Sequence, residues 1–231
     1  LLGGRIDDGR MDQKITALKV QKRNPNRVNV YLDGDFAFGL ARVVAAWLQI
    51  GQILTPEKIT SLQAQDTHEV AYQKALQLIA IRPRSTAEIQ QRLTRHGFDP
   101  AVIEATLERL KENRLLDDAA FARLWVENRS TFRPRGRRAL ALELRQKGIA
   151  ADAIDDALDE SVDDNALALQ AAERYARHLQ DLDWQAFRTR LSAFLGRRGF
   201  DYQTTAEVVR QVWASHHTLE TLNTDLEIEE N

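Results

Sequence analysis

Between Arg129 and Lys147 the chain carries seven basic residues, Arg129, Arg133, Arg135, Arg137, Arg138, Arg145 and Lys147, against one acid, Glu143. Four of the arginines gather around Pro134 and Gly136, where a helix is predicted to start. A guanidinium is a planar fork of donors suited to carboxylate or phosphate, and a helix N-terminus adds N–H groups that favour anions. The chemistry these residues offer is recognition of a negative group. The pattern recurs: Arg82-Pro83-Arg84 stands 51 positions before Arg133-Pro134-Arg135, and Arg197-Arg198 lies at a third corner. A solvated face, partly neutralised by seven acids between Asp152 and Asp164, is the competing reading. Recurrence tilts the balance toward a basic binding stripe.

Bond-making chemistry finds little support. The five histidines are His68, His96, His178, His216 and His217. None forms His-x-x-x-His, and adjacent His216 and His217 point to different sides of a helix. There is no cysteine, which excludes disulfides, thiolate catalysis and Cys-based zinc. Neither a nucleophile elbow nor a glycine-rich phosphate loop is present. Asp117-Asp118 reads as a helix-capping aspartate with an exposed neighbour rather than a metal pair. The chain is therefore expected to be no enzyme and to use no cofactor or metal.

The elements that position the cations repeat. Gly97, Gly148 and Gly199 lie 51 residues apart, each four residues after Leu93, Leu144 or Leu195. Ile89, Leu140 and Leu191 keep the same spacing, as do Leu107, Leu158 and Val209. A fixed period in the apolar frame marks a tandem structural repeat. Each unit reads as three short helices: residues 66–114, 115–161 and 162–217. Ser85-x-x-Glu88 is a capping box, Asp99, Asp117 and Asp183 are N-caps, and Pro83 and Pro134 stop helices. The repeat glycines serve the left-handed position after a helix. The first helices carry apolar stripes: Tyr72, Ala75, Leu76 and Ile79; Phe121, Leu124 and Trp125; Ala172, Tyr175, Ala176 and Leu179. Trp47, Trp125, Trp184 and Trp213 are read as core anchors. Bundles this small are marginal alone and should lean on one another in an elongated, curved array.

Residues 13–64 read differently. Ile15 to Val20 and Val28 to Leu32 are strands, Asp33-Gly34 is a hairpin turn, and Phe36-Ala37-Phe38 opens a third strand. A short helix follows over Leu40 to Leu48. Thr55-Pro56 opens another that runs to Ile81, with a break near Ala64 to Thr67. The fold class is thus mainly α: three three-helix repeats behind a small β-hairpin or three-strand extension. Residues 1–10 precede Met11, the only methionine, and read as tag or upstream extension. Residues 218–231 form an acidic tail, frayed after His217.

Net charge is −2 over 231 residues, so any basic face is local. No apolar run approaches a membrane span and no signal-peptide pattern opens the chain. A cytoplasmic monomer is expected.

Several of these motifs together resemble the RecX family of bacterial regulatory proteins, modulators of the RecA recombinase. The resemblance rests on Arg82-Pro83-Arg84-Ser85 with Glu88 and Gly97-Phe98, and on Leu115-Leu116-Asp117-Asp118 with Phe121-Ala122 and Arg129. It continues through Pro134-Arg135-Gly136 with Arg138, Leu140, Glu143-Leu144 and Lys147-Gly148-Ile149, and ends at Arg197-Arg198-Gly199-Phe200. It covers Val70 to Trp213, and the β-rich start is similar to the extension of longer members. It implies helical repeats without enzymatic activity that bind the groove of the RecA–DNA filament. They damp its ATPase, strand exchange and co-protease functions in recombination, DNA repair and the SOS response, with some direct DNA binding. The cations inside the matching motifs, Arg82, Arg84, Arg133, Arg135, Arg138, Lys147, Arg197 and Arg198, are the expected contacts. A helical-repeat DNA-binding transcription regulator is the alternative; it predicts strong free-DNA affinity with a steep salt slope.

Overall fold

The computed structural model describes residues 12–229, and the side chains among them except those of residue 161 and of 216–229. The expectation for residues 1–10 lies outside the described residues. The backbone divides into two compact units. One runs to Pro83 and takes in Ile89–Leu115; the other joins Arg84–Glu88 to the chain from Leu116 onward.

The first unit opens with a sheet. Strands β1 (Gln13–Val20), β2 (Arg27–Leu32) and β3 (Asp35–Ala41) form antiparallel pairs, and a short β4 (Ile53–Leu54) adds to the free edge of β1, giving the order β3-β2-β1-β4. Alternation in β2 sends Val28, Val30 and Leu32 inward. Asp33 and Gly34 both take positive φ at the hairpin, as the Asp-Gly signal requires. The fourth strand is a correction to the three-strand expectation. Its two residues are too few for alternation to show, and pairing of Gln13 with Leu54 and Lys14 with Ile53 makes it a strand.

Helix α1 spans only Arg42–Ala45, because Leu40 and Ala41 extend β3. Trp47 is not a core anchor: it is 88% exposed, and Leu48 takes the buried place after the single turn. Helix α2 (Pro56–Ile81) runs unbroken, with Thr55 capping the Lys58 N–H as expected. The predicted break contains Asp66, whose carboxylate pairs with Arg27 at 2.9 Å and accepts from the Ala41 N–H. Those bonds pin this stretch of helix to the sheet. Helix α4 (Pro100–Glu112) packs on α2, where Arg109 meets Glu69 at 2.8 Å and lies over the Tyr72 ring. Ile89, Leu93, Ile103, Leu107 and Leu110 are buried with Ala71, Tyr72 and Ala75.

The second unit contains α5 (Asp118–Phe132), α6 (Arg137–Gln146), α7 (Ala151–Ser161), α8 (Asp164–Ala176), α9 (Trp184–Arg197) and α10 (Tyr202–Glu229). Helix α3 (Thr86–Arg95) begins within it. Two apolar clusters fill its bundles, one around Phe121, Leu140, Leu144 and Ile154, the other around Ala172, Phe187, Leu191, Leu195 and Val209. Leu124 departs from its predicted stripe and is 51% exposed. The buried face of α5 runs through Phe121, Ala122 and Val126 instead, the positions that share a side at helical period. The backbone of α10 continues past His217 to Glu229, through a stretch without glycine or proline to end it.

Candidate functional site

The geometry that places the cations is a joint between bundles, and it occurs twice in the second unit. Buried Ser85 precedes α3; its hydroxyl accepts from the Glu88 N–H at 3.2 Å and donates to the carbonyl of Lys147 at 2.6 Å. At the equivalent corner the Gly136 N–H donates to the carbonyl of Arg198 at 3.0 Å. Asp118 accepts from the Thr86 N–H at 2.8 Å, and Asp164 accepts from the Arg137 N–H at 2.9 Å. Each of these aspartates opens the first helix of one bundle and caps the second helix of the bundle before it. Asp118 is therefore not the exposed neighbour it was expected to be.

Close approach sets the small residues here. Gly148 and Gly199 take positive φ, and a Cβ on them would overlap the Cβ of Ala87 and Ala139 respectively. A Cβ on Gly136 would run into the backbone of Gly199 and Phe200. Burial raises the Asp164 carboxyl above its ordinary range; the bond from the Arg137 N–H opposes the shift, and the charge of Asp201 adds to it.

The joint divides the predicted cations into two groups. Glu143 is a hub: Oε2 accepts from Trp125 Nε1 and Arg129 Nε, both at 2.8 Å, and Oε1 meets Arg135 at 2.8 Å. Arg129 and Lys147 also lie over the Trp125 ring, at 4.5 and 5.0 Å. Lys147 pairs with Glu88 at 2.6 Å, and Arg137 pairs with Asp159 and donates to the Leu158 carbonyl. Arg129, Arg135, Arg137 and Lys147 are thus each paired with an acid of the chain itself, the first three inside one bundle and Lys147 across the joint. Arg133, Arg138, Arg145 and Arg197 are exposed and have no ion pair among the described residues. Arg82 is exposed and donates to the Pro83 carbonyl; Arg84 is half-buried.

Arg198 sits between these groups. It donates to the Pro134 carbonyl at 2.9 Å and lies 4.5 Å over the Phe194 ring. Burial first, then the positive charges of Arg135, Arg133 and Arg174, pull its guanidinium below the usual range. It lines a cleft of about 250 Å³ with Phe132, Arg133, Arg174, Tyr175, His178 and Phe194. Tyr175 and Phe194 stack with ring centres 4.0 Å apart. Arg174, Tyr175, His178, Phe194 and Phe132 were not among the predicted site residues. Part of their signal was there in the spacing: Phe194 stands four residues before Arg198, the C-cap of α9, and Arg174 and Tyr175 fall in the last turn of α8. Among the described residues no cluster of three or more His, Cys, Asp or Glu could hold a metal, and no helix is long and apolar enough to cross a membrane.

Family models match the chain in order. They are the N-terminal domain of regulatory protein RecX at 13–55, and its first, second and third three-helix domains at 71–110, 117–158 and 163–209. Regulatory protein RecX of Clostridium perfringens strain SM101 is 30% identical over 205 residues, covering 86% of this chain and 96% of the relative. The chain belongs to the RecX family. The RecX of Bacillus subtilis strain 168 is 29% identical over 86% of this chain and 76% of that one. A crystal structure of regulatory protein RecX superposes with a TM-score of 0.70 at 26% identity, over 85% of this chain and 98% of the other. The mainly helical architecture with a small N-terminal sheet is thus the RecX fold, and the role it carries is regulatory.

Proposed function

We propose that this protein is a non-enzymatic regulator that binds the RecA–DNA filament and inhibits RecA ATPase, strand exchange and co-protease activity. One observation carries the reading: RecX family models account for the chain from its sheet through all three bundles, without an inserted domain between them. Arg133, Arg138, Arg145 and Arg197 are its contact residues, joined by Arg82 and Arg84 at the first corner. Repeated bundles with similar corners suit a polymer whose protomers repeat, since many modest contacts to linked sites raise effective affinity steeply. Preferential binding to one filament state then shifts the filament toward that state by the difference in affinity alone. Direct contact with DNA is weak in this reading, consistent with a net charge of −2.

The test is RecA ATPase on single-stranded DNA with the full chain titrated in. Inhibition at stoichiometric amounts is expected, together with co-sedimentation with filaments but not with free RecA. An unchanged rate at excess would end the proposal. Tight, steeply salt-dependent binding to free DNA would favour a DNA-binding regulator instead.

A further inference from the structure

Arg133, Arg174 and Arg198 line one cleft of about 250 Å³ between the C-terminal end of α5 and the helices α8 and α9. None of its lining residues is a carboxylate. Elsewhere in this unit the chain matches partly buried cations with acids, as Glu143 does for Arg129 and Arg135. Here the like charges line one cleft, and among the described residues only neutral groups answer them. Arg198 donates to the Pro134 carbonyl, and Gln170, with its amide turned to suit both neighbours, accepts from Arg174 at 3.1 Å. A carbonyl or amide oxygen satisfies a donor without cancelling its charge. An anion entering the cleft would cancel it in a partly desolvated place, where such bonds are strongest.

The remaining walls say which anion. Tyr175 and Phe194 stack as one aromatic surface, and Phe132 at the rim is 70% exposed. Arginine beside clustered aromatic rings is the composition of protein–protein hot spots. A nucleic-acid track spreads its cations along a groove to follow successive phosphates. In this cleft three of them line one small volume suited to one side chain.

We infer that this cleft seats an acidic side chain of a protein partner. Its carboxylate is gripped by Arg133, Arg174 and Arg198, and an adjoining apolar side chain of the partner packs on Phe132. The inference rests on the reading of the chain as a regulator that binds protein, and adds the chemistry of one anchor point.

The probe is a fluorescein-labelled peptide of alternating glutamate and leucine, followed by anisotropy against the full chain. Controls are its glutamine-for-glutamate counterpart and an oligothymidylate of matched charge. Binding of the acidic peptide is expected to weaken roughly tenfold or more in the double variant R133E/R174E and for the glutamine peptide, the scale of lost charge-assisted hydrogen bonds. Both arginines are exposed, so the variant should melt with the wild type; R174Q serves if it does not. Equal binding by wild type and variant overturns the inference, and so does binding of neither probe. Tighter binding of the oligothymidylate, lost in the variant, overturns it in favour of a nucleic-acid site. RecA ATPase is measured alongside. Failure of wild type to inhibit RecA would sink the proposed function while the peptide result still decides the cleft. Undiminished inhibition by a variant that has lost the peptide would separate the cleft from RecA binding.

Discussion

The hydroxyl of Ser85 donates to the carbonyl of Lys147 at 2.6 Å, which locks the start of α3 to the end of α6. At the next joint a backbone N–H, that of Gly136, makes the equivalent bond to Arg198. Ser85 is fully buried and its oxygen also caps the Glu88 N–H. Ser85→Ala leaves two backbone groups short of a partner at once. A loss of about 1–3 kcal/mol is expected, read as a lower urea midpoint at unchanged slope.

The three repeat glycines should not respond alike to alanine. All three take positive φ, which alone costs about 1 kcal/mol or slightly more in an L-residue. A Cβ at Gly97 meets nothing within 4 Å. At Gly148 and Gly199 it overlaps Ala87 and Ala139, so overpacking of about 1–3 kcal/mol adds to the strain. Thermal melts of the three single variants should rank Gly97→Ala well above the other two, and equal melting temperatures would disprove the joint.

Asp164 gives the second joint a pH signature. Folding raises its carboxyl, so the folded state holds that proton more tightly than the unfolded chain. Its contribution favours folding below the unfolded value, and is lost as pH rises through the raised folded value. Asp164→Asn keeps an oxygen for the Arg137 N–H and removes the titration. The stability of wild type relative to Asp164→Asn should fall as pH climbs through the acid range, then level off. Asp164→Ala should lose about 1 kcal/mol at neutral pH through the missing acceptor. Urea melts across pH read both.

Glu143 gathers an indole and two guanidiniums on one carboxylate. Glu143→Ala uncouples α5 from α6 and leaves Arg129 unpaired in a half-buried place, so a loss of about 2–4 kcal/mol is expected. The indole hydrogen bond goes with it, and a change in tryptophan fluorescence of the folded state should accompany the lower midpoint.

The cations should split by function. Arg138→Glu with Arg145→Glu removes exposed charges that have no ion pair among the described residues, so stability should stay within about 0.5 kcal/mol while RecA inhibition weakens. Arg129→Ala should do the reverse, lowering stability through Glu143. Full inhibition by the exposed-charge variant would remove those arginines from the proposed contact surface.

The amino-acid sequence alone determined the period, the caps and the class. Gly97, Gly148 and Gly199, the proline stops and the aspartate caps are local devices, and each depends on a few neighbouring residues that a linear reading can see. The same holds for the Asp33-Gly34 hairpin and the β2 alternation. Tertiary structure alone decided what depends on distant partners. Asp66 keeps α2 whole because Arg27 and Ala41 reach it across the sheet. Trp47 is outside because β3 runs on through Ala41 and leaves α1 one turn. Four of the predicted contact cations pair with Glu143, Asp159 and Glu88, while Arg174, out of register with the basic run, lines one cleft with Arg133 and Arg198. Charge is legible residue by residue; whether a charge is neutralised is a property of pairs, and the chain brings those pairs together only when it packs.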